Sequence, residues 1–399
     1  MKLAFLGGGE LPASLLQCWL EQGRLSQALL CDWPHSPPSY HACKPTPWEE
    51  LLHGGADAAI VSSLRELSPS EWETRYDQLR KLTQAGLPLL LLHPSCDAII
   101  GFELEMIRQD SAAPLIPYWP GNTHPAVEML TKMQRGPQPA PWGKLEQITI
   151  ERSSTTGERT RVLHDLSSDL GPVRRLLGSF HRVHAIGQDS EEEKGAWSHF
   201  TTTVLNPQGE MARWSCSPGR QQSGAVLKIA GSEGRAVLHM PDQQPWSLRI
   251  EGAETTDHDF SEWNPADEIY SYLEDARAGR TLPETAHWLG CCRVQEVIEA
   301  AERSLKRGRT IELYQEIPSE ASTFKGVMAA SGCMILLFSV FCVLLAGIVE
   351  GLQLPFRDHW LWKMWPVCLT AILVTFLAMQ LLQVFARGES PTSMVREKT

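Results

Sequence analysis

Several features of common protein classes are scarce in this sequence of 399 residues. Its formal net charge of -11 disfavours nucleic acid as a partner, because the phosphates would be repelled. Its ten cysteines form no Cys-x-x-Cys pair, so neither a disulfide framework nor a metal site is expected. The first residues are apolar only as far as Leu6, which is too short for the apolar core of a signal peptide and predicts a first β-strand instead.

Charge is missing from two long segments near the C-terminus, 327–347 and 366–386. Each is close to the ~20 residues that a helix needs to cross the hydrocarbon of a bilayer, so we expect two transmembrane helices rather than a buried hairpin of core helices. Lys and Arg are concentrated before the first segment and in the tail 387–399, and this distribution places the tail and the soluble domains in the cytoplasm.

A glycine-rich turn follows the predicted strand Lys2–Leu6 and precedes a helical stretch that begins near Ser14. Gly7 would permit a tight turn and Gly9 the close approach of a pyrophosphate to the helix N-terminus, where free N–H groups favour anions. Leu11 lies in the same turn and is a predicted cofactor contact. Pro12 stands where the dinucleotide-binding pattern has its third glycine.

An acid ends the second predicted strand at Asp32, about where a dinucleotide-binding fold places the carboxylate that binds the adenosine ribose. Such a carboxylate favours NAD over NADP, because it repels a 2′-phosphate. Two further apolar strands end near Ser62, a predicted cofactor contact, and near His93. Strands that alternate with helices predict a doubly wound parallel sheet of the Rossmann type. The alternative is a glycine turn kept for packing, with Asp32 a solvated strand end.

Six segments of the sequence carry a resemblance to a known family, and they are 82–94, 122–127, 143–148, 163–178, 229–234 and 297–304. In this order they resemble the glucose-fructose oxidoreductase, inositol dehydrogenase and MocA family, known as Gfo/Idh/MocA. The resemblance implies a Rossmann domain over 1–118 and an α/β domain over 119–315 with a large, mostly antiparallel sheet. This sheet often forms the subunit interface in the family, so a homodimer through it is an expectation. It also implies an NAD- or NADP-dependent oxidoreductase acting on a sugar, nucleotide sugar or polyol.

Departures from the family pattern fall on the residues that do its chemistry. His93 stands where the family has a catalytic Lys, and Ser168 and Gly171 stand where it has a catalytic His and Asp. General acid–base catalysis needs a titrating group within hydrogen-bond reach, and His93 is the candidate with a positional argument. Asp165 and Asp169 share a helix face but are also explained as a solvated or capping pair.

Two hypotheses follow from this balance. The first is a membrane-anchored oxidoreductase that moves a hydride between a nicotinamide nucleotide and a carbohydrate-like substrate. The second is a catalytically inactive binding or scaffold protein that keeps the fold at a membrane.

Overall fold

The computed structural model describes most of the first 313 residues and one long helix after them. The described residues are 1–34, 41–191, 193–219, 222–242, 245–261, 263–283, 286–313 and 320–351, with isolated positions between 364 and 374. By the distribution of contacts, residues 1–314 form one compact unit and residues 315–399 a second.

The first sheet is built from buried apolar strands that alternate with helices. Its six strands are all parallel and lie in the order β3-β2-β1-β4-β5-β6, so the crevice of the sheet lies where the order reverses, between β1 and β4. The predicted doubly wound sheet is confirmed. Its strands are β1 Lys2–Leu6, β2 Gln27–Cys31, β3 Cys43–Pro45, β4 Ala58–Val61, β5 Leu89–Leu92 and β6 Leu115–Tyr118.

Helices cover both faces of this parallel sheet. Each face has its own apolar core, one including Trp19 and Phe5 and the other Leu79 and Leu104, as expected when both faces of a sheet are buried. The helices are α1 Glu10–Glu21, α2 Trp72–Gln84 and α3 Ala98–Ser111, with 3₁₀ helices at Trp48–His53, Leu64–Glu66 and Pro69–Glu71. Two helices follow β6, α4 Pro120–Thr123 and α5 Pro125–Arg135, and α5 packs into the core of the second sheet.

The second sheet has nine strands in the order β14-β13-β12-β11-β7-β10-β9-β8-β15. Only β7 and β10 pair in parallel among its described strands, so the predicted large, mostly antiparallel sheet is confirmed. The strands are β7 Leu145–Ser154, β8 Arg182–Asp189, β9 Trp197–Leu205, β10 Met211–Pro218, β11 Gly224–Gly231, β12 Arg235–Pro241, β13 Ser247–Glu251, β14 Thr255–Asp259 and β15 Ile311–Glu312.

Three helices join the two sheets. Helix α6, Arg159–Leu177, packs its apolar side on the second sheet, and α8, Trp288–Arg307, contributes to the cores of both sheets. Helix α7, Pro265–Arg277, follows the second sheet in sequence yet packs against the first, since Ile269 and Leu273 lie in its core. Two helices of the predicted second domain, α7 and α8, therefore pack against the parallel sheet.

The last described helix is α9, Glu320–Gly351. Among the helices of the described residues, none combines the length and the apolar character that crossing a bilayer requires. The second predicted segment, 366–386, and the tail 387–399 lie almost entirely outside the described residues.

Candidate functional site

The glycine turn joins β1 to α1 at the crevice of the parallel sheet. Gly7 and Gly9 have φ angles of 83° and 136°, which side-chain-bearing residues rarely adopt. Helix α1 begins without a side-chain hydrogen bond from its N-cap residue Gly9, and one acid, Glu10, lies in its first turn. The positive end of the helix dipole therefore faces the turn without a capping side chain. Leu11, the third predicted cofactor residue of the turn, is half buried and packs against the apolar core beneath the helix.

Asp32 follows β2 directly and is exposed beside this turn. Its backbone lies in the left-handed region, with φ at 49°, a conformation that Asp tolerates better than most residues. The buried Gln78 donates a hydrogen bond from Nε2 to Oδ2 of Asp32 over 2.7 Å. The carboxylate is therefore held in one orientation at the position where a dinucleotide-binding fold has its ribose ligand.

A buried arginine lies under the same turn. Arg75 on α2 donates to the carbonyl oxygen of Leu6 over 2.7 Å and contacts the Ser62 hydroxyl at 3.4 Å. Ser62 is itself buried, and its Oγ occupies the space that a Cβ on Gly7 would need. The predicted cofactor residue Ser62 thus packs beneath the turn, where it stabilises the backbone conformation.

His93 lies at the end of β5 and is almost completely buried. Its Nδ1 is 3.2 Å from the Cys291 sulfur, and its Nε2 is 2.6 Å from the hydroxyl of Ser167 on α6. Its ring also packs against Trp119, with the ring centres 4.4 Å apart. Burial lowers the pKa of His93 to about 3, with a further contribution from the nearby positive Arg65. Both ring nitrogens are therefore engaged inside a neutral network.

The two other positions of the family's catalytic pattern lie on the same helix. A Cβ on Gly171 would overlap the indole nitrogen of Trp119, so this tryptophan fills the space that a larger residue on α6 would occupy. Ser168 donates to the carbonyl oxygen of His164 and accepts a hydrogen bond from Arg65. Neither position presents an acid or a base.

Arg65 connects the end of the parallel sheet to α6. From the 3₁₀ helix Leu64–Glu66, its guanidinium donates to the carbonyl oxygen of His164 over 2.7 Å and lies 3.0 Å from Asp165. Asp165 is fully buried, and this burial raises the pKa of its carboxyl group. Arg65 and Asp165 therefore form an ion pair between the end of the parallel sheet and α6, and their opposite charges compensate each other.

Asp169, one turn after Asp165, faces a second arginine. Arg152 on β7 donates to both carboxylate oxygens of Asp169, and the Trp214 indole donates to one of them over 2.8 Å. Arg152 also reaches Asp242 over 2.7 Å. Asp165 and Asp169 do share a helix face, but each is engaged by an arginine within the described residues, which is typical of a structural role.

Sequence reasoning missed the residues that close this end of the crevice. Arg65, Trp119 and Cys291 come from three distant parts of the chain, and no local pattern marks them. Arg65 and Trp119 meet residues of α6, and Cys291 reaches His93 because α8 packs against the first sheet. The one local signal was negative, namely small residues at the family's catalytic positions.

A nicotinamide dinucleotide is the cofactor that this fold implies, and the turn can be tested against it. Gly7 and Gly9 supply the positive φ angles of a tight turn, the start of α1 has no side-chain cap, and the exposed Asp32 is held in place by Gln78. These features fit the group, so Gly7, Gly9 and Asp32 would hold it. When bound, such a nucleotide supplies a carbon that can give or take a hydride.

Comparison with known proteins gives structural neighbours only. No family model matches the chain, and no curated protein sequence matches it. The structure is similar to aldose-aldose oxidoreductase from Caulobacter crescentus, with a TM-score of 0.64 and 16% identity over 78% of this chain and 99% of that chain.

Two further neighbours are enzymes of carbohydrate or polyol metabolism by name. UDP-N-acetylglucosamine 3-dehydrogenase from Acidithiobacillus ferrooxidans gives a TM-score of 0.60 and 19% identity over 77% of this chain and 98% of that chain. A myo-inositol dehydrogenase from Corynebacterium glutamicum gives a TM-score of 0.58 and 17% identity over 79% of this chain and 99% of that chain. The neighbours are oxidoreductases of the Gfo/Idh/MocA type, and at these identities the similarity establishes the fold.

Proposed function

We propose that the chain binds a nicotinamide dinucleotide at Gly7, Gly9 and Asp32 but does not carry out the acid–base step of sugar or polyol oxidation. Nucleotide binding is supported by the glycine turn, by Asp32 and by the nicotinamide-dependent enzymes among the structural neighbours. One observation supports the absence of turnover. Nδ1 of His93 is within hydrogen-bond distance of the Cys291 sulfur, and Nε2 is within hydrogen-bond distance of the Ser167 hydroxyl. A group so engaged has no free position from which to exchange a proton with substrate.

Hydride transfer to a sugar, nucleotide sugar or polyol is the second candidate function. It is favoured by the named activities of the structural neighbours, which share the arrangement of the two sheets with this chain. It requires His93 to leave its network or another group to serve as acid and base. The two candidates agree on the cofactor and differ only in turnover.

The experiment separates binding from turnover. Full-length protein in a mild detergent is titrated with NADH and NADPH while its 14 tryptophans are excited, and energy transfer to the nicotinamide reports binding. We expect saturable binding that is lost in Gly9→Asp, whose circular dichroism should match that of the unchanged protein. Absence of binding by either nucleotide at millimolar concentration would contradict the proposal.

Turnover is then measured on the same protein. NAD is offered with a panel of aldoses, polyols and nucleotide sugars, and reduction is followed by nicotinamide absorbance. We expect no reduction above that of Gly9→Asp. Reduction with one of these substrates that is lost in His93→Asn would establish the second candidate instead.

We also propose that the segment 327–347 anchors the chain in a bilayer and that 366–386 forms a second span, with both termini in the cytoplasm. The charge-free sequence supports this proposal, as do large apolar side chains exposed on α9. These are Met334, Leu337, Phe341, Leu344 and Ile348.

Membrane fractionation tests the anchor. The full chain should stay in the membrane pellet after alkaline carbonate washing, whereas a chain that stops before Phe324 should be released. Release of the full chain would contradict the anchor. Homodimerisation through the second sheet stays a prediction, which light scattering of the detergent-solubilised protein can test.

A further inference from the structure

A carboxylate of the chain itself lies against the glycine turn. We propose, on the basis of the nucleotide site proposed above, that Glu66 competes with the pyrophosphate of a bound nucleotide and so sets the affinity of the crevice for anionic nucleotides. A Cβ placed on Gly9 would be 2.9 Å from Cδ and 3.1 Å from Oε1 of Glu66. The carboxyl group therefore occupies the side of the turn where the chain has left space by using glycine.

The start of α1 explains why an anion is stable there. The first N–H groups of the helix have no intrahelical partner, and the macrodipole places partial positive charge at this end. Because Gly9 supplies no capping side chain, a carboxylate from elsewhere in the fold can interact with these groups. Glu66 is thus an internal substitute for the anion that this kind of turn binds in other proteins.

The backbone around Glu66 is fixed on two sides. The Leu64 N–H and the Ser63 hydroxyl both donate to the carbonyl oxygen of Pro94, over 2.8 Å and 3.1 Å. Arg65 is held by α6 through the carbonyl oxygen of His164 and the Ser168 hydroxyl. The segment cannot retreat as a whole without breaking these bonds, so a nucleotide must displace the Glu66 side chain by rotation about its own bonds.

Rotation is possible because the Glu66 side chain is exposed. It leaves the carboxylate within a few ångströms of the bound pyrophosphate, since the backbone stays in place. Like charges about 5 Å apart near a protein surface repel strongly enough to weaken binding by about tenfold, and salt reduces this repulsion. The crevice therefore binds nucleotides more weakly than its glycine turn alone would.

The test measures dissociation constants of NADH for the full-length protein in detergent. Glu66→Gln keeps the size of the side chain and removes its charge, and Glu73→Gln makes the same change of net charge on the exposed surface of α2. We expect Glu66→Gln to bind about tenfold more tightly than the unchanged protein, with the difference shrinking at high salt. Glu73→Gln should change the dissociation constant less than twofold.

The outcomes distinguish this inference from the nucleotide site on which it rests. Equal affinity of the unchanged protein and Glu66→Gln would overturn the role of Glu66 and leave the site intact. Weaker binding by Glu66→Gln would overturn it as well, because the carboxylate would then be assisting the ligand. If neither protein binds NADH at millimolar concentration, both the inference and the site are overturned.

Discussion

The crevice has two ends, the glycine turn after β1 and the region around His93 at the end of β5. They differ in whether their polar side chains are exposed to solvent or buried against other residues. At the glycine turn, Asp32 and Glu66 are exposed beside the uncapped start of α1. At the end of β5, His93, Asp165 and Ser167 are buried and held by other residues of the protein. One end keeps the features of a binding site, whereas the other is packed like a core. Binding and chemistry occupy separate parts of a fold, so one can be lost while the other remains.

Removing the positive charge of Arg65, which pairs with Asp165 at the His93 end of the crevice, should have the largest effect on stability. Arg65→Met removes the partner at 3.0 Å from the fully buried Asp165 and leaves it the longer contact with Arg161 at 3.5 Å. Loss of one partner of a buried ion pair destabilises a protein by about 3–5 kcal/mol, and we expect a clear fall in the thermal midpoint of tryptophan fluorescence at neutral pH. Arg280→Met, which removes the partner of Asp275 from an exposed pair, is the control. Equal losses in the two variants would show that the crevice end is not closed by this pair.

Lowering the pH should restore part of the stability that Arg65→Met loses. Burial raises the pKa of Asp165, so the folded protein takes up its proton at a higher pH than the unfolded chain does. A raised carboxyl pKa gives stability that is present at low pH and lost as pH rises through the folded value. The difference in thermal midpoint between Arg65→Met and the unchanged protein should therefore become smaller as the pH is lowered.

The histidines at the same end should make the protein sensitive to acid. Burial lowers the pKa of His93 and that of His164 to about 3, so the unfolded chain takes up their protons first as pH falls from about 6.5. Each contributes stability that is complete above the unfolded pKa and is lost toward the folded value, at about 1.4 kcal/mol per pH unit. We expect His93→Gln to reduce the slope of unfolding free energy between pH 6 and 4 by about this amount.

A second variant separates titration from packing. Gln295 donates to the same Ser167 hydroxyl that contacts His93, over 3.1 Å. Gln295→Leu should lower stability at every pH and leave the slope unchanged, because no titrating group is removed. If both variants change the slope equally, titration of His93 is not the cause.

The sequence was informative where structure is local. The strand Lys2–Leu6, the glycine turn and the acid at Asp32 are contiguous patterns. In the structure the turn follows β1 and Asp32 follows β2, at the carboxyl ends of two neighbouring strands. The alternation of strands and helices likewise predicted the parallel sheet, because that period reflects burial on both faces.

The closed end was not predictable in the same way. Trp119 meets Gly171, and Cys291 meets His93, across separations of 52 and 198 residues (171 − 119; 291 − 93). Such contacts depend on how α6 and α8 pack, which no pattern within either segment specifies. The sequence showed only that small residues replaced the expected chemical groups, and the structure shows what fills the space.

The smallest expected effect concerns the adenosine end of the turn and tests whether the open half still recognises a nucleotide. Asp32→Ser removes the carboxylate that Gln78 orients at 2.7 Å. A lost charged hydrogen bond to the ribose should weaken NADH by about tenfold, or about 1.4 kcal/mol, while NADPH, whose 2′-phosphate the carboxylate repels, should gain relative to NADH. Gln78→Leu keeps the carboxylate but frees its orientation, so it should weaken NADH by only about threefold. Equal losses of affinity for NADH and NADPH in Asp32→Ser would mean that Asp32 supports the turn without contacting the ribose. The exposed acid at the glycine turn would then have a structural role, as the buried acids at the His93 end do.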